Sequence, residues 1–383
     1  MRRSILFYLG ILALAHLYVG WRLLPDLPIG LAAQVAGGLL LVASLVSAPL
    51  GLFARNMKSR QWADRLSAVC LFLVGLFSSL FVFTLLRDVA LLFVVLWPAK
   101  LPLDRILTLS ASFVASIAIL ATLVGLLNAR RRARVVNVEI PLSNLPASLH
   151  GFTIAQISDV HVGPTIKRKY VDAIVDTVNS LKADVIAVTG DLVDGTVKDL
   201  SSHTAPFARL SARHGAFFVT GNHEYYSGEP AWTAEFKRLG MRVLMNEHVV
   251  LTHEGSQVVL AGVADFSAHH FNPDQRSDPQ RAMLNAPTDA GARILLAHQP
   301  RSAPAAAAAG FDLQLSGHTH GGQFWPWNLF VRLQQPFTAG LHRLNDLWVY
   351  ISRGTGYWGP PKRLGAPSEI THLRLVPASH PVG

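Results

Sequence analysis

Apolar residues dominate the first third of the chain, whereas apolar and polar residues alternate after it. Four apolar stretches stand out, at residues 5–21, 29–53, 66–86 and 106–127. A helix needs about 20 apolar residues to cross the hydrocarbon core of a bilayer. We therefore expect residues 1–133 to form a membrane anchor of about four transmembrane helices.

The first and third stretches each allow a second interpretation. The first is short and follows Arg2 and Arg3, as a signal peptide would, but no small-residue cleavage site comes after it. Arg87 and Asp88 interrupt the third, and a charge at the bilayer centre costs about 2.5–3.5 kcal/mol on insertion scales. We expect the first stretch to be retained and the third helix to end near Leu86, with residues 89–97 on the membrane surface or in a long tilted helix.

After the arginine cluster the pattern becomes that of an α/β domain, over residues 134–383. Short apolar runs alternate with segments of helical spacing, which indicates a sheet with parallel strand pairs. The predicted strands are 134–140, 151–158, 184–189, 215–220, 258–263, 292–297, 312–316, 347–352 and 369–375. The predicted helices are 167–182, 200–212, 232–239, 279–284 and 302–308.

Charge and cysteine content narrow the classes of function. The chain has 383 residues, a net charge of +10 and one cysteine. A single cysteine excludes a disulfide within the chain and a multi-thiolate metal site. Many basic residues flank apolar stretches, so we attribute the charge to membrane topology and anionic lipids and discount nucleic-acid binding.

The basic residues also predict an orientation, because cytoplasmic loops carry an excess of Lys and Arg. One side of the predicted membrane has most of them: Arg2, Arg3, Arg55, Lys58, Arg60, Arg65, Arg130, Arg131, Arg132 and Arg134. The other side has Arg22, Arg87, Lys100 and Arg105. We expect a multi-pass protein of the inner or plasma membrane, with both termini and the α/β domain in the cytoplasm.

Metal-binding residue types follow successive predicted strands. In chain order they are Asp159-x-His161, Gly190-Asp191-x-x-Asp194, Gly221-Asn222-His223-Glu224, His298 and Gly317-His318-Thr319-His320. Each motif alone can be explained equally well without a metal, as a turn, as a helix cap or by a buried structural histidine. The carboxyl ends of parallel strands share one edge of a sheet, however, and ligands bind there. Their order and co-occurrence therefore indicate one site.

This set of motifs resembles the calcineurin-like metallophosphoesterase family over about residues 150–375. The run from Gly317 to Gln323, with the later Arg353-Gly354-Thr355-Gly356, is similar to its membrane-anchored bacterial branch. The resemblance implies an α/β/β/α sandwich with two divalent metal ions. Nitrogen and oxygen ligands without thiolate suit Mn, Fe or Zn and do not choose among them.

The resemblance also implies a role for each motif residue. Asp159, His161 and His320 would hold the first ion, and Asn222, His298 and His318 the second, with Asp191 bridging the two. His223 would be a catalytic acid, or a hydrogen-bond donor to the phosphate, oriented by a carboxylate such as Asp194. The implied reaction is hydrolysis of a phosphodiester or pyrophosphate bond by metal-bound hydroxide.

The substrate is less defined by the sequence. Arg353 and Arg363 could grip a phosphate, and His269 and His270 could line the pocket, although salt bridges and loop surface explain them equally well. The anchor points to a lipid-linked ester. The family resemblance implies UDP-2,3-diacylglucosamine as one example, and a phospholipid headgroup is another. A membrane-localised enzyme on soluble nucleotides and a non-catalytic scaffold or sensor are the alternatives. The oligomeric state stays open.

Overall fold

A computed structural model describes residues 2–54, 57, 59–98 and 101–378. The chain divides into two compact units, Met1–Asn128 with Gly359–Lys362, and Ala129–Trp358 with Arg363–Gly383. This division falls after Asn128, whereas the predicted domain boundary lies after residue 133. Arg55, Lys58 and Lys100, which the predicted orientation uses, lie outside the described residues.

The first unit is helical. Its helices are α1 (Arg2–Leu23), α2 (Leu31–Phe53), α3 (Arg60–Leu96) and α4 (Leu103–Arg130). Within the described residues, three segments are long and apolar enough to cross a membrane: Leu31–Gly51, Arg60–Leu96 and Leu103–Arg130. The apolar part of α1, Phe7–Leu23, is shorter. The four predicted apolar stretches thus all form helices, and three of these helices qualify as spans by length and composition.

The expected end of the third helix near Leu86 is wrong, because α3 continues to Leu96 without a break, which agrees with the alternative of one long helix. The two charged residues there are paired within the helical unit. Arg87 donates to the Asp26 carboxylate and, at 2.6 Å, to the Arg22 carbonyl. Asp88 accepts two hydrogen bonds at 2.8 Å from the Arg22 guanidinium. Paired charges cost far less in an apolar helix than isolated ones, so the helix need not end.

The second unit contains two six-stranded sheets. The first sheet has the order β1-β12-β2-β3-β4-β5 and the second β10-β11-β9-β8-β7-β6. The strands are β1 (Arg134–Leu142), β2 (Thr153–Ile157), β3 (Val185–Val188), β4 (Ala216–Phe218), β5 (Arg242–Val243), β6 (Glu247–His253), β7 (Ser256–Gly262), β8 (Ala292–Leu296), β9 (Leu313–Ser316), β10 (Gly340–Leu344), β11 (Leu347–Ile351) and β12 (Glu369–Pro377). The helices are α5 (Arg168–Ser180), α6 (Val197–Thr204), α7 (Asn222–Ser227), α8 (Glu229–Arg238), α9 (Pro279–Ala282) and α10 (Ala303–Ala308).

Three apolar layers hold these sheets and helices together. The middle layer joins Ile154 and Val185 of the first sheet to Ile294 of the second, all almost fully buried. A second layer covers the outer face of the first sheet and includes Trp232 of α8. A third packs Ala306 of α10 on the outer face of the second sheet. Helices therefore flank two facing sheets, and the predicted α/β/β/α sandwich is confirmed.

Local differences from the predicted elements have simple causes. The single helix predicted over residues 200–212 is two pieces, α6 and a 3₁₀ helix at Ala205–Arg209. Pro206 lacks an amide hydrogen and interrupts the α-helical hydrogen-bond pattern. Strands β5, β6 and β10, which the sequence does not predict, lie at or next to the sheet edges. The short helix α7 begins at Asn222, within a predicted site motif.

Candidate metal centre

The predicted metal-binding residues follow the strands at the centre of both sheets. Asp159 and Asp191 come after β2 and β3, which pair in parallel. His298 and His318 come after β8 and β9, a parallel pair in the other sheet. Asn222 follows β4. Because parallel strands end at the same edge, the fold delivers these side chains to one place.

The backbone at this edge is held in an uncommon conformation. Positive φ angles, rare for residues other than glycine, occur at Asp159 (55°), His161 (55°), Asp191 (54°), His318 (68°) and His320 (52°). Such residues cost about 1–3 kcal/mol each and cluster at functional sites, where the surrounding structure imposes them. The clustering of positive φ angles here indicates a functional site independently of which side chains are present.

One group of ligand atoms consists of Asp159, His161 and His320, which are all buried. The Nε2 atoms of the two histidines lie 3.1 Å apart, and His320 Nε2 lies 3.4 Å from Asp159 Oδ1. Two imidazole nitrogens and one carboxylate oxygen that face a common point can coordinate a single divalent ion.

A second group consists of Asp191, His298 and His318. His298 Nε2 lies 3.1 Å from Asp191 Oδ2 and 3.2 Å from His318 Nδ1. The same Asp191 oxygen lies 3.9 Å from His161 Nε2 in the first group, so this carboxylate stands between the two groups. The Asn222 side-chain oxygen is buried with no hydrogen-bond partner among the described residues. A metal ion would satisfy that oxygen.

The electrostatics of the two groups fit a bound cation. Burial lowers the pKa of His318 to about 3 and that of His320 well below its usual value, so both imidazoles are neutral, as metal ligands must be. Burial also opposes the charging of His298, but the carboxylates of Asp191, Asp159 and Asp265 together outweigh it and raise the pKa of His298. Asp191 therefore favours positive charge beside it, which a divalent ion supplies.

Carbonyl and carboxylate groups orient the histidines from behind. His298 Nδ1 donates to the Thr189 carbonyl at 2.7 Å, which leaves Nε2 free to face Asp191. Asp194 Oδ1 lies 3.1 Å from His161 Nδ1 and 2.5 Å from His223 Nδ1. Such partners fix the ring orientation and the tautomer of a metal-binding histidine.

Glu224, for which the sequence predicts no role, lies under the centre in the structure. Its fully buried carboxylate accepts backbone N–H groups from Gly221 at 2.7 Å, Asp191 at 2.9 Å and Leu192 at 2.8 Å. It therefore ties the loop after β3 to the loop after β4. The available signal was an acidic residue directly after Gly-Asn-His, where a buried carboxylate would need such donors.

The four candidate substrate-binding residues are in different environments. Arg363 is almost fully buried and donates to the carbonyls of His320 at 3.0 Å and Arg353 at 2.7 Å. This geometry favours a positioning role behind His320 over the predicted phosphate contact. Arg353 is partly exposed and donates to Glu369 at 3.0 Å. His269 and His270 lie on a 3₁₀ helix, and His270 is exposed.

Comparison with known proteins supports the class of protein that this fold and site define. Residues 152–322 match the model of the calcineurin-like phosphoesterases. A metallophosphoesterase of Aquifex aeolicus is 33% identical over 63% of this chain and 91% of its own length. The chain belongs to the calcineurin-like metallophosphoesterase family, and that family uses divalent metal ions.

Two vertebrate proteins are also similar, and both are called transmembrane protein with metallophosphoesterase domain. The one from Danio rerio is 40% identical over 66% of this chain, and the one from Bos taurus is 39% identical over 72%. The matches span 60% and 64% of the lengths of those two relatives. Part of each relative is therefore unmatched by this chain.

Proposed function

We propose that this chain is a metal-dependent phosphoric ester hydrolase with a two-ion centre. The observation that carries the proposal is the position of Asp191, whose Oδ2 lies 3.1 Å from His298 Nε2 and 3.9 Å from His161 Nε2. One carboxylate thus serves both groups of imidazoles. Two divalent ions, when bound, polarise the phosphoryl oxygens and make a nucleophile available at neutral pH.

The ligand assignment follows from the two groups. Asp159, His161 and His320 hold one ion. Asn222, His298 and His318 hold the other, and Asp191 is shared between them. The orphaned Asn222 oxygen and the neutral imidazoles support this division. Manganese, iron and zinc all suit the set, and metal analysis of the purified protein decides among them.

His223 supplies the proton for the leaving group. Its Nδ1 lies 2.5 Å from Asp194, and its Nε2 lies 4.0 Å from Asp191 Oδ2, so the ring edge faces the centre. Burial opposes the charged form, but Asp191 and Asp194 raise the pKa of His223 to about 9. A histidine that keeps its proton near a reacting phosphate can act as a general acid.

A leaving-group dependence tests this role. With His223→Gln, hydrolysis of a p-nitrophenyl ester falls little because that leaving group needs no proton. Hydrolysis of an alkyl ester falls by about 10²–10⁴-fold, the usual contribution of a general acid. Equal losses on both esters would point to a structural role for His223 instead.

The substrate proposed is a lipid-linked phosphodiester or pyrophosphate, such as UDP-2,3-diacylglucosamine or a phospholipid headgroup. The three helices long enough to span a membrane support this choice, because an enzyme held at the bilayer meets such substrates there. The basic residues around these helices further support a cytoplasmic location of the α/β unit. A periplasm-active reporter fused after Arg134 should be silent, and a strong signal would reverse the orientation.

One experiment addresses reaction and substrate together. The full-length protein in detergent, with added Mn²⁺, is offered bis-p-nitrophenyl phosphate, a soluble cyclic nucleotide and UDP-2,3-diacylglucosamine, with Asp191→Ala as the control. Preferred cleavage of the lipid nucleotide that is lost in the variant supports the proposal. Preference for the cyclic nucleotide favours a nucleotide enzyme. Bound metal with no turnover of any ester favours a scaffold or sensor.

A further inference from the structure

A cavity of about 750 Å³ lies in the α/β unit, outside the metal centre. Arg130, Arg132, Lys167, Lys169, Thr165 and Tyr357 line it, with part of α5. None of these residues belongs to the ligand groups at the strand ends. We call it the basic cavity.

The charge of the basic cavity is available to a ligand. Arg130, Arg132 and Lys169 are exposed, and no ion pair in the described part of the chain involves them. The acidic residues on its wall are Asp172 and Asp176, which pair with Arg209 at 2.8 and 2.7 Å. These carboxylates are therefore paired with Arg209, and the side chains of Arg130, Arg132 and Lys169 attract an anion.

Tyr357 adds a polar group to this wall. Its side chain is 2% exposed, and its buried hydroxyl finds no hydrogen-bond acceptor among the described residues. Burial raises the pKa of Tyr357, and a hydrogen bond from Thr165, also on the wall, partly opposes the rise. A buried hydroxyl without a partner is unfavourable and is rare in native proteins. A phosphate oxygen in the basic cavity would accept this hydrogen bond.

The position along the chain identifies the source of the phosphate. Arg130 is the last residue of α4, which is apolar and long enough to cross a membrane, and Arg132 follows closely. Basic residues next to a span lie at headgroup level and attract anionic lipids. We propose that the basic cavity binds the phosphate-bearing headgroup of an anionic phospholipid. This proposal does not depend on the hydrolase activity.

Binding of short-chain lipids to the full-length protein in detergent tests the proposal. Dihexanoyl phosphatidylglycerol, dihexanoyl phosphatidylcholine and inorganic phosphate are titrated below the lipids' micellar concentrations. We expect phosphatidylglycerol to bind about tenfold or more tightly than either of the others. Equal affinity for the two lipids overturns the proposal. Inorganic phosphate binding as tightly as phosphatidylglycerol makes this a free-anion site and overturns the lipid assignment.

Variants locate the binding. Arg130→Gln with Arg132→Gln should weaken phosphatidylglycerol binding by about tenfold or more. Tyr357→Phe keeps the ring and removes only the hydroxyl, so a loss of a few-fold is expected from one missing hydrogen bond. The matched control is Arg242→Gln with Arg332→Gln, two exposed arginines of the same unit outside the cavity. An equal loss in the control would assign the effect to net charge and overturn the site.

Discussion

At the residue scale, two glycines bring the carboxylates of the centre close to the backbone. A Cβ atom on Gly221 would collide with the Asp191 carboxylate, and one on Gly317 with the Asp159 carboxylate and Ser158. These glycines directly precede the proposed ligands Asn222 and His318. Each glycine allows the loop that carries one ligand to lie against the carboxylate of a ligand in a different loop. The glycines of the motifs are thus part of the ligand geometry.

Gly317→Ala should therefore remove metal without changing any ligand. The new methyl group forces Asp159 away from His320, whose Nε2 now lies 3.4 Å from its Oδ1. We expect the purified variant to retain about half of the wild-type metal, or less, by elemental analysis, because one of two ions loses a ligand. Gly30→Ala, where a Cβ meets nothing within 4 Å, is the control. Full metal content in Gly317→Ala would contradict the placement of Asp159.

The Asp194 carboxylate contacts two histidines at once. Its replacement by an amide of the same size tests how much its negative charge contributes to metal binding. Asp194→Asn keeps the size of the side chain but loses the carboxylate that faces His161 and His223. We expect metal affinity to fall by about 10–100-fold, as for other groups that orient metal-binding histidines. Titration of the metal-free protein with Mn²⁺ measures this. Asp346→Asn, at a fully exposed carboxylate, should bind as the wild type does.

At the scale of elements, the sequence predicts the centre of the fold better than its edges. Strand β3 is a continuous apolar run and β8 is apolar except for Arg293, since both faces of the sheets are covered there. Strand β6 mixes Glu247, His248 and His253 with apolar residues, and β5 has only two residues. Neither pattern distinguishes a strand from a loop.

The same limit applies to the contacts that support the metal centre. Ligand types at strand ends are visible in the sequence, because strand and motif are adjacent there. The contacts of Glu224 with Asp191 and of Arg363 with His320 join parts of the chain that only the tertiary fold brings together. The continuation of α3 past Leu86 likewise depends on the partners of Arg87 in α1 and the loop after it.

The charge pairs of the helical unit make a prediction about α3. Arg87→Met leaves the Asp26 carboxylate without its guanidinium, and breaking such a pair costs about 3–5 kcal/mol. We expect a lower unfolding temperature for the full-length protein in detergent. Adding Asp26→Asn to Arg87→Met should recover part of the loss, because no unpaired charge remains. Arg105→Met, at an exposed arginine of α4, is the control, and an equal loss there would argue against the pair.

At the scale of the whole molecule, the candidate membrane-spanning segments and the proposed metal ligands lie in different units of the chain. The segments apolar enough to span a membrane lie in the first unit except for Ala129 and Arg130, and every proposed metal ligand belongs to the second. Arg87 and Asp191 share no hydrogen-bond partner in the described structure. The effects of substitutions at independent sites on the free energy of unfolding add. The effects of Arg87 and Asp191 variants on unfolding can therefore be compared in the same protein.

Metal binding should raise the unfolding temperature of the full-length protein through the second unit. An ion that binds only the folded state stabilises it by about 2.7 kcal/mol at a concentration one hundred times its dissociation constant. We expect Mn²⁺ to raise the midpoint in the wild type and by the same amount in Arg87→Met, which starts lower. Asp191→Asn should show no rise, because it removes the carboxylate shared by both ions. A rise of wild-type size in Asp191→Asn would place the stabilising metal elsewhere, whereas a smaller rise in Arg87→Met would show that the two units are energetically coupled.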